Sequence, residues 1–592
     1  MNDLLPTTKV EMSKRGWSSL DIIIVTGDAY VDHPSYGAAV ISRVLEAEGY
    51  KVGVIAQPDL NDPDDLKRMG KPRLFFGVTA GNLDSMIANY TANKKFRSGD
   101  EYSPGGIKGL RPDRATLIYT NKLKQAFDNV PVVIGGIEAG MRRLAHYDYW
   151  SDTVRRSILL DSKADILVYG MGEEQIVEIA RHLKNGRDIK DLNDIRGTVI
   201  VRNCIDAFKS AVEIPSFEEV ACDKDKFNEA FRLAYPEAAN PVHGRVIIQR
   251  HARRFVIQLP PTRPLSQSRM DSIYELPFAR SPHPGYRKAG GVPGFDTVKH
   301  SVITHRGCPG ECSFCSLYAH QGRIVQSRSA GSILRELEAM ASQPDFNGTI
   351  TDIGGPTANM YEAHCELWKG KGACRLRRCL FPDRCKNLKL RPSRTIDLWK
   401  RASLIKGIKH IFVGSGVRYD LLNDKESDEF LKHLCASHVS GQLKVAPEHT
   451  EPHILDAMGK PRFGAYELFI HRFDAVNKAL KKKQFLVNYF ISGHPGATTE
   501  DALKLSLKLK KMRIYPEQIQ DYIPLPMTAS GAMYYTGKDP FSGRRIYVEK
   551  SPRARRLQRA LIQYKNDDNK RYVIEALRLL GRMDLMNEFY GQ

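Results

Sequence analysis

No apolar run in this 592-residue sequence approaches the roughly 18 residues that a membrane-spanning helix needs. The opening stretch MNDLLPTTKVEMSKRG has no hydrophobic signal-peptide region. The expectation is a cytoplasmic protein without a membrane partner. A solenoid repeat and sustained coiled-coil heptads are also missing, which argues against a stacked array or a rod. Acids are in deficit: 68 Asp and Glu stand against 89 Lys and Arg, a formal charge of +21. Such a surplus attracts phosphates, nucleic acid or anionic surfaces. No basic motif interleaved with aromatics accompanies it, so a solvated basic surface explains it equally well. Nor is the chain composed like a disordered one, since 42% of it is hydrophobic. The length allows about three domains.

What is present begins with an α/β rhythm. Short apolar runs at 21–27, 50–58, 73–79, 130–136 and 164–173 are flanked by Gly, Pro or Asp and separated by amphipathic helical patterns. This predicts a Rossmann-like, doubly wound domain over 1–200. Residues 201–297, rich in Pro, Gly and Ser, read as a connector. A second α/β block over 298–535 offers six candidate strands, at 300–307, 348–355, 410–417, 442–449, 485–493 and 518–526. These suggest a partial (βα)6 TIM-type barrel, with its chemistry at the C-terminal strand ends. Residues 536–592 read as a small basic extension, with 13 Lys and Arg against 7 acids from Lys538 onward.

Of ten cysteines, seven fall between Cys308 and Cys385. In a reducing compartment they read as metal ligands before disulfides. THRGCPGECSFCSLYAHQGR spaces Cys308, Cys312 and Cys315 as C-x3-C-x2-C, directly after a predicted strand. A loop this short can wrap three thiolates around one face of a cubane, and thiolate is the soft ligand that iron-sulfur clusters take. Three ligands leave one iron open to chelate the amino and carboxylate groups of S-adenosylmethionine. An electron through the cluster then gives a 5'-deoxyadenosyl radical, chemistry that belongs to the cofactors. Zinc normally takes four protein ligands, and a disulfide has no use for a triplet.

With Phe314 before its last cysteine, this motif resembles that of the radical SAM superfamily. The resemblance implies roles further along the chain. Asp352-Ile353-Gly354-Gly355-Pro356 stands where a Gly-Gly-Glu type motif meets the amino group of S-adenosylmethionine, with Pro in place of Glu. Gly354 and Gly355 still permit close backbone approach, or serve only as a turn. Glu448 in VAPEHT stands where such proteins place a polar group on the ribose; a salt-bridged surface Glu is the alternative. VITHRGCPGECSFCS, DIGGPTANMY, KVAPEHTEPHILDAMGKP and YIPLPMT together resemble the YgiQ family, over nearly the whole chain. That likeness implies a bound [4Fe-4S] cluster and S-adenosylmethionine, and brings no settled substrate. An electron donor such as flavodoxin or ferredoxin is the expected partner.

A second group, Cys365, Cys374, Cys379 and Cys385, lies in an insertion at 361–390. It is expected to ligate an auxiliary iron-sulfur cluster or a zinc ion, because so polar a loop needs a staple; free thiols or disulfides are the alternatives. The glycines Gly135, Gly136, Gly170 and Gly172, with Met171, Glu173 and Glu174, resemble those of cobalamin-binding Rossmann domains. Bound cobalamin is nevertheless not expected. Its lower-ligand pattern is Asp-x-His-x-x-Gly, whereas Asp32-His33-Pro34-Ser35-Tyr36-Gly37 departs from it on both sides, which leaves His33 as an ordinary loop residue. His449, Tyr318 and Arg323 are candidates to line the cavity. The leading expectation is a radical SAM enzyme of unassigned substrate. The alternatives are a nucleic-acid-binding protein with structural metal clusters, or a methylthiotransferase-like enzyme modifying RNA or protein.

Overall fold

The computed structural model describes residues 4–375 and 377–591. The chain forms two compact units. The first holds everything up to Gly307, with Ser316–Glu336 and a segment that begins at Glu366. The second holds Cys308–Cys315, Leu337–Cys365 and the chain from Arg377 onward. No helix among the described residues is long and apolar enough to cross a membrane.

The first unit is built on a nine-stranded sheet. Its strands are β1 (Ile22–Thr26), β2 (Val52–Ala56), β3 (Phe75–Thr79), β4 (Val132–Gly135), β5 (Ile166–Val168), β6 (Thr198–Arg202), β7 (Val212–Ile214), β8 (Ile247–His251) and β9 (Arg254–Gln258). They lie in the order β7-β8-β9-β6-β5-β4-β3-β1-β2. Neighbours from β2 to β5 are parallel. β6 runs antiparallel to β5 and to β9. The order β2-β1-β3-β4-β5 is the flavodoxin-like one, with its topological switch between β1 and β3. Side chains alternate across it: Ile22 and Ile24 enter one apolar core, Ile23 and Val25 the other. Both faces are therefore covered, as parallel sheets require.

The expectation of a connector over 201–297 is corrected here. This stretch supplies β7, β8 and β9, and it feeds both cores: Ile248 and Ile257 one, Ile247 and Val256 the other. The physical reason is the bare edge that β6 would otherwise leave. Pro and Gly mark the turns around these strands and hide how short and apolar the strands themselves are.

In the second unit, parallel strands alternate with helices. Its strands are β10 (Thr349–Ile350), β11 (Asp352–Gly354), β12 (His410–Ile411), β13 (Gln442–Glu448), β14 (Phe485–Ser492) and β15 (Ile519–Asp521). β10 pairs with β12, β13 with β14, and β14 with β15, all in parallel. The stretch 300–307 forms two short strands, Ser301–Ile303 and His305–Arg306.

The basic C-terminal segment is packed into this unit. Ser551 caps the helix Pro552–Ile562 by accepting from the Ala554 amide, with proline at the first helical position. Its inward face, Leu557 and Leu561, joins Val573 and Leu577 of the next helix and Ala502 and Leu503 of Thr499–Lys511 in one core. The arginines of its sequence mostly point outward. Because Leu561 is fully buried, Leu561→Ala is expected to cost about 2–5 kcal/mol, read as a lower urea midpoint for the intact chain. An unchanged midpoint would mean that the segment is not docked.

Candidate functional site

The loop Cys308–Cys315 lies within the second unit and is pinned from both sides. The Ser313 amide donates to Met458 O at 2.8 Å, and Ser313 O accepts from the Ser530 amide at 2.9 Å. The Cys315 amide donates to Cys312 O at 2.9 Å, closing a turn that brings the later two cysteines together. Phe314 sits edge-on to the buried His494 ring. All three cysteines are partly exposed as residues, and no cysteine among the described residues forms a disulfide.

Arg418 addresses this loop. Its Nη1 points a donor at Cys312 Sγ, 3.8 Å away, while Nη2 pairs with Asp420 at 2.8 Å. A Cβ on Gly310 would lie 2.7 Å from Arg418 Nη1 and 3.2 Å from Cys308 Sγ, so only glycine lets the guanidinium lie this close. Burial and the neighbouring Cys312 push the Cys308 thiol up, while Arg418, the Gly310 amide and Lys460 draw it down.

The strand-end residues named from sequence converge on the same unit. Asp352 Oδ1 accepts from the Gly414 and Ser415 amides at 2.8 and 3.0 Å. Asn359 accepts from the Arg418 amide at 3.0 Å and donates to Arg418 O at 2.9 Å. The chain after β11, carrying Gly354 and Gly355, is thereby stitched to the segment that carries Arg418. A Cβ on Gly354 would meet Ser415 Oγ at 2.2 Å, so packing alone already favours glycine here.

Glu448 is not the surface residue of the alternative reading: it is 7% exposed. It occupies the middle of a three-residue turn closed by the His449 amide donating to Pro447 O at 2.9 Å, and its φ is +68°. That conformation is strained for a residue with a side chain. Its nearest charge is Lys460, 3.9 Å from Oε1, beyond hydrogen-bond reach. Burial pushes its carboxyl up, with Lys460 and Arg418 opposing. The buried Tyr419 hydroxyl has no hydrogen-bond partner. His449 is buried, accepts from the Glu451 amide, and is held neutral by burial, which draws its pKa down to about 3.

The second cysteine group is divided. Cys365, Cys379 and Cys385 belong to the second unit and Cys374 to the first. The Cys385 amide donates to Cys379 O at 2.8 Å. Arg378, one residue before Cys379, reaches Ser313 Oγ at 3.3 Å, which sets that segment beside the first cysteine loop. In the first unit, the Cys374 carbonyl accepts from Arg323, whose guanidinium lies over the Tyr235 ring, with Tyr318 nearby.

Of the N-terminal glycines, Gly136 and Gly170 have positive φ at the carboxyl ends of β4 and β5. At the β1/β3 switch point, buried Arg111 pairs with Asp28 at 2.7 Å and Asp100 at 3.0 Å. Burial raises the Asp28 carboxyl to about 6, with Arg111 opposing. His33 lies in the loop before the helix Gly37–Ala47, buried with its ring edge-on to Phe295.

Sequence reasoning missed Arg418, Asp420 and Lys460. The signal for the first two was GSGVRYD after β12, a glycine-flanked strand end followed by paired opposite charges.

Residues 4–301 match the family model described as Radical SAM N-terminal, 302–508 that of the Radical SAM superfamily, and 517–589 a domain of unknown function, DUF3362. The chain is 49% identical over 585 residues to a UPF0313 protein of Methanocella arvoryzae, spanning 99% of this chain and 96% of that one. It is 48% identical over 584 residues to a UPF0313 protein of Clostridium botulinum, spanning 99% and 91%. Among solved structures it is similar to the radical S-adenosylmethionine methyltransferase TsrM from Kitasatospora setae with cobalamin and [4Fe-4S] cluster bound. There the TM-score is 0.49 at 15% identity, over 87% of this chain and 74% of that one.

Arg418 favours the thiolate form of the loop, so Arg418→Gln is expected to move alkylation of Cys308 by iodoacetamide to higher pH. At a fixed pH below the thiol pKa, each unit of upward shift slows the reaction about tenfold. Gly310→Ala should act in the same direction by displacing the guanidinium. Unaltered profiles in both variants would remove Arg418 from the account of this loop.

Proposed function

The chain belongs to the UPF0313 family and carries a radical SAM superfamily domain, and from that membership we propose that Cys308, Cys312 and Cys315 hold its [4Fe-4S] cluster. Gly354, Gly355 and Glu448 are assigned to S-adenosylmethionine. The resemblance of VITHRGCPGECSFCS, DIGGPTANMY, KVAPEHTEPHILDAMGKP and YIPLPMT supports a YgiQ-type member, with the second α/β block read as a partial barrel of the superfamily type.

The observation that carries this reading is the buried Arg418 guanidinium aimed at Cys312 Sγ. Three thiolates on a cluster bring negative charge to a partly buried loop, and a cation fixed by Asp420 is what such a loop needs. The donor set fits as well: soft thiolates for iron, and at a strand end a buried carboxylate without a close partner, suited to ribose hydroxyls. When bound, the cluster and S-adenosylmethionine supply one-electron cleavage of a sulfonium and hydrogen abstraction from a substrate. The chain's own residues do the rest. Ser313 and Ser530 fix the loop, Phe314 and His494 close one side of it to water, and Arg418 and Lys460 offset its charge. Flavodoxin or ferredoxin is proposed as the reductant, in the cytoplasm.

Cys379 and Cys385, set beside the first loop through Arg378, favour a second metal centre. Anaerobically reconstituted protein, reduced in the presence of S-adenosylmethionine, is expected to release 5'-deoxyadenosine. The Cys308, Cys312, Cys315 triple-alanine variant should release none while retaining iron with sulfide, or zinc. No nucleoside from a protein containing its full iron and sulfide would sink the enzyme reading. A metal-free triple variant would sink the second centre alone.

A further inference from the structure

The first unit contains a buried cation that its fold leaves uncompensated. Arg143 is 2% exposed. Its Nε donates to Gln258 Oε1 at 2.6 Å, its Nη1 donates to Gly140 O at 2.5 Å, and its guanidinium lies over the Tyr169 ring at 4.5 Å. All three partners are neutral. Among the described residues no carboxylate comes within ion-pair distance of it, whereas Arg43, Arg111, Arg142, Arg306 and Arg328, equally buried, each meet one. Burying a charge without a counter-charge is costly, and burial draws this guanidinium down to about 10.

The surroundings add donors rather than acids. Gln258 is fully buried, and its Nε2, next to the Tyr169 hydroxyl, completes no hydrogen bond of ordinary geometry. Neither polar atom of the buried Gln175 amide has a partner, and a Cβ on Gly197 would come 2.3 Å from its Nε2. Arg196 lies within electrostatic range of the same tyrosine and spends donors on carbonyls, Nε on Pro261 O at 3.1 Å and Nη2 on Pro241 O at 2.7 Å. The acid of this edge, Glu173, is taken by Arg306. His320, also near Arg143, is held neutral, its pKa drawn down to about 4 by burial. Arg143 follows β4, Tyr169 follows β5 and Gln258 ends β9, so the group sits at the carboxyl edge of the sheet, where open α/β sheets take ligands.

We propose that Arg143, with Gln258 and Arg196, forms a binding site for a compact oxyanion, the phosphate or carboxylate group of a small-molecule ligand. It requires neither the cluster nor its ligands, so its success or failure is independent of the radical SAM assignment.

The test is thermal unfolding of the full chain in inorganic phosphate and, separately, in acetate, each matched in ionic strength by chloride. A saturable stabilisation is expected with one of them, and which one tells phosphate from carboxylate. At 100 times the dissociation constant, the folded-to-unfolded ratio should rise about 100-fold. Arg143→Met should fold at least as stably in chloride and lose the response. Gln258→Glu, which places a carboxylate on Arg143 from within, should also be stable and unresponsive, and keeps the test decisive if the methionine variant does not fold. No saturable response in the natural protein, or one that survives in Gln258→Glu, would overturn the site.

Discussion

Taking a guanidinium out of water is costly without an anion, and that constraint on Arg418 organises the candidate site. Asp420, two residues on, supplies that anion; the other group the guanidinium addresses is the Cys312 sulfur. Removing the aspartate would strand a buried charge, at a cost of about 3–5 kcal/mol. Asn359 grips the backbone of Arg418 from both sides, so the loop after β11 takes its position from the same point. Asp352, capping the amides of Gly414 and Ser415, makes the tie again one turn earlier. The cysteine loop, the glycine pair and the arginine are in this way tied together by a few partly buried polar contacts.

The sequence made some of this legible and hid the rest for definable reasons. The spacing of Cys308, Cys312 and Cys315 is local, so chain stiffness alone brings them near one another. The runs around Ile22, Val52, Phe75 and Val132 were readable as strands because strands buried on both faces are continuously apolar. Strands β7 to β9 at that end of the sheet were not, because each is short and set among Pro and Gly that read as loop. Arg418 lies 106 residues from Cys312, the thiol it addresses, and no periodicity links them. The second cysteine group was visible as composition, yet Arg378, which brings Cys379 toward the first loop, is one of many arginines in that insertion.

The two units handle buried cations differently. In the first, arginines are paired one by one with carboxylates, a structural use that fixes loops after the strands: Arg111 with Asp28 and Asp100, Arg142 with Asp84, Arg306 with Glu173. Arg143 stands out only against that background. In the second, Arg418 and Lys460 both converge on groups named for chemistry rather than for packing. Positive charge spread along the sequence therefore says little by itself. What distinguishes one buried cation from another is the partner each retains when water is gone.

Glu448 shows the same logic in the backbone. Pro447 has no amide hydrogen to give the β13 ladder, and the register between β13 and β14 shifts between Val445 and Glu448. The chain then closes a three-residue turn with Glu448 at φ +68°. Holding a residue with a side chain there costs about 1–3 kcal/mol, and glycine would relieve the strain. Burying the carboxyl adds desolvation, for which Lys460 at 3.9 Å is an incomplete return. A residue kept for folding would not combine a strained backbone, a buried charge and a missing hydrogen bond. The combination sets Glu448 apart from the buried acids of the first unit, such as Asp32 and Glu173, which meet an arginine directly.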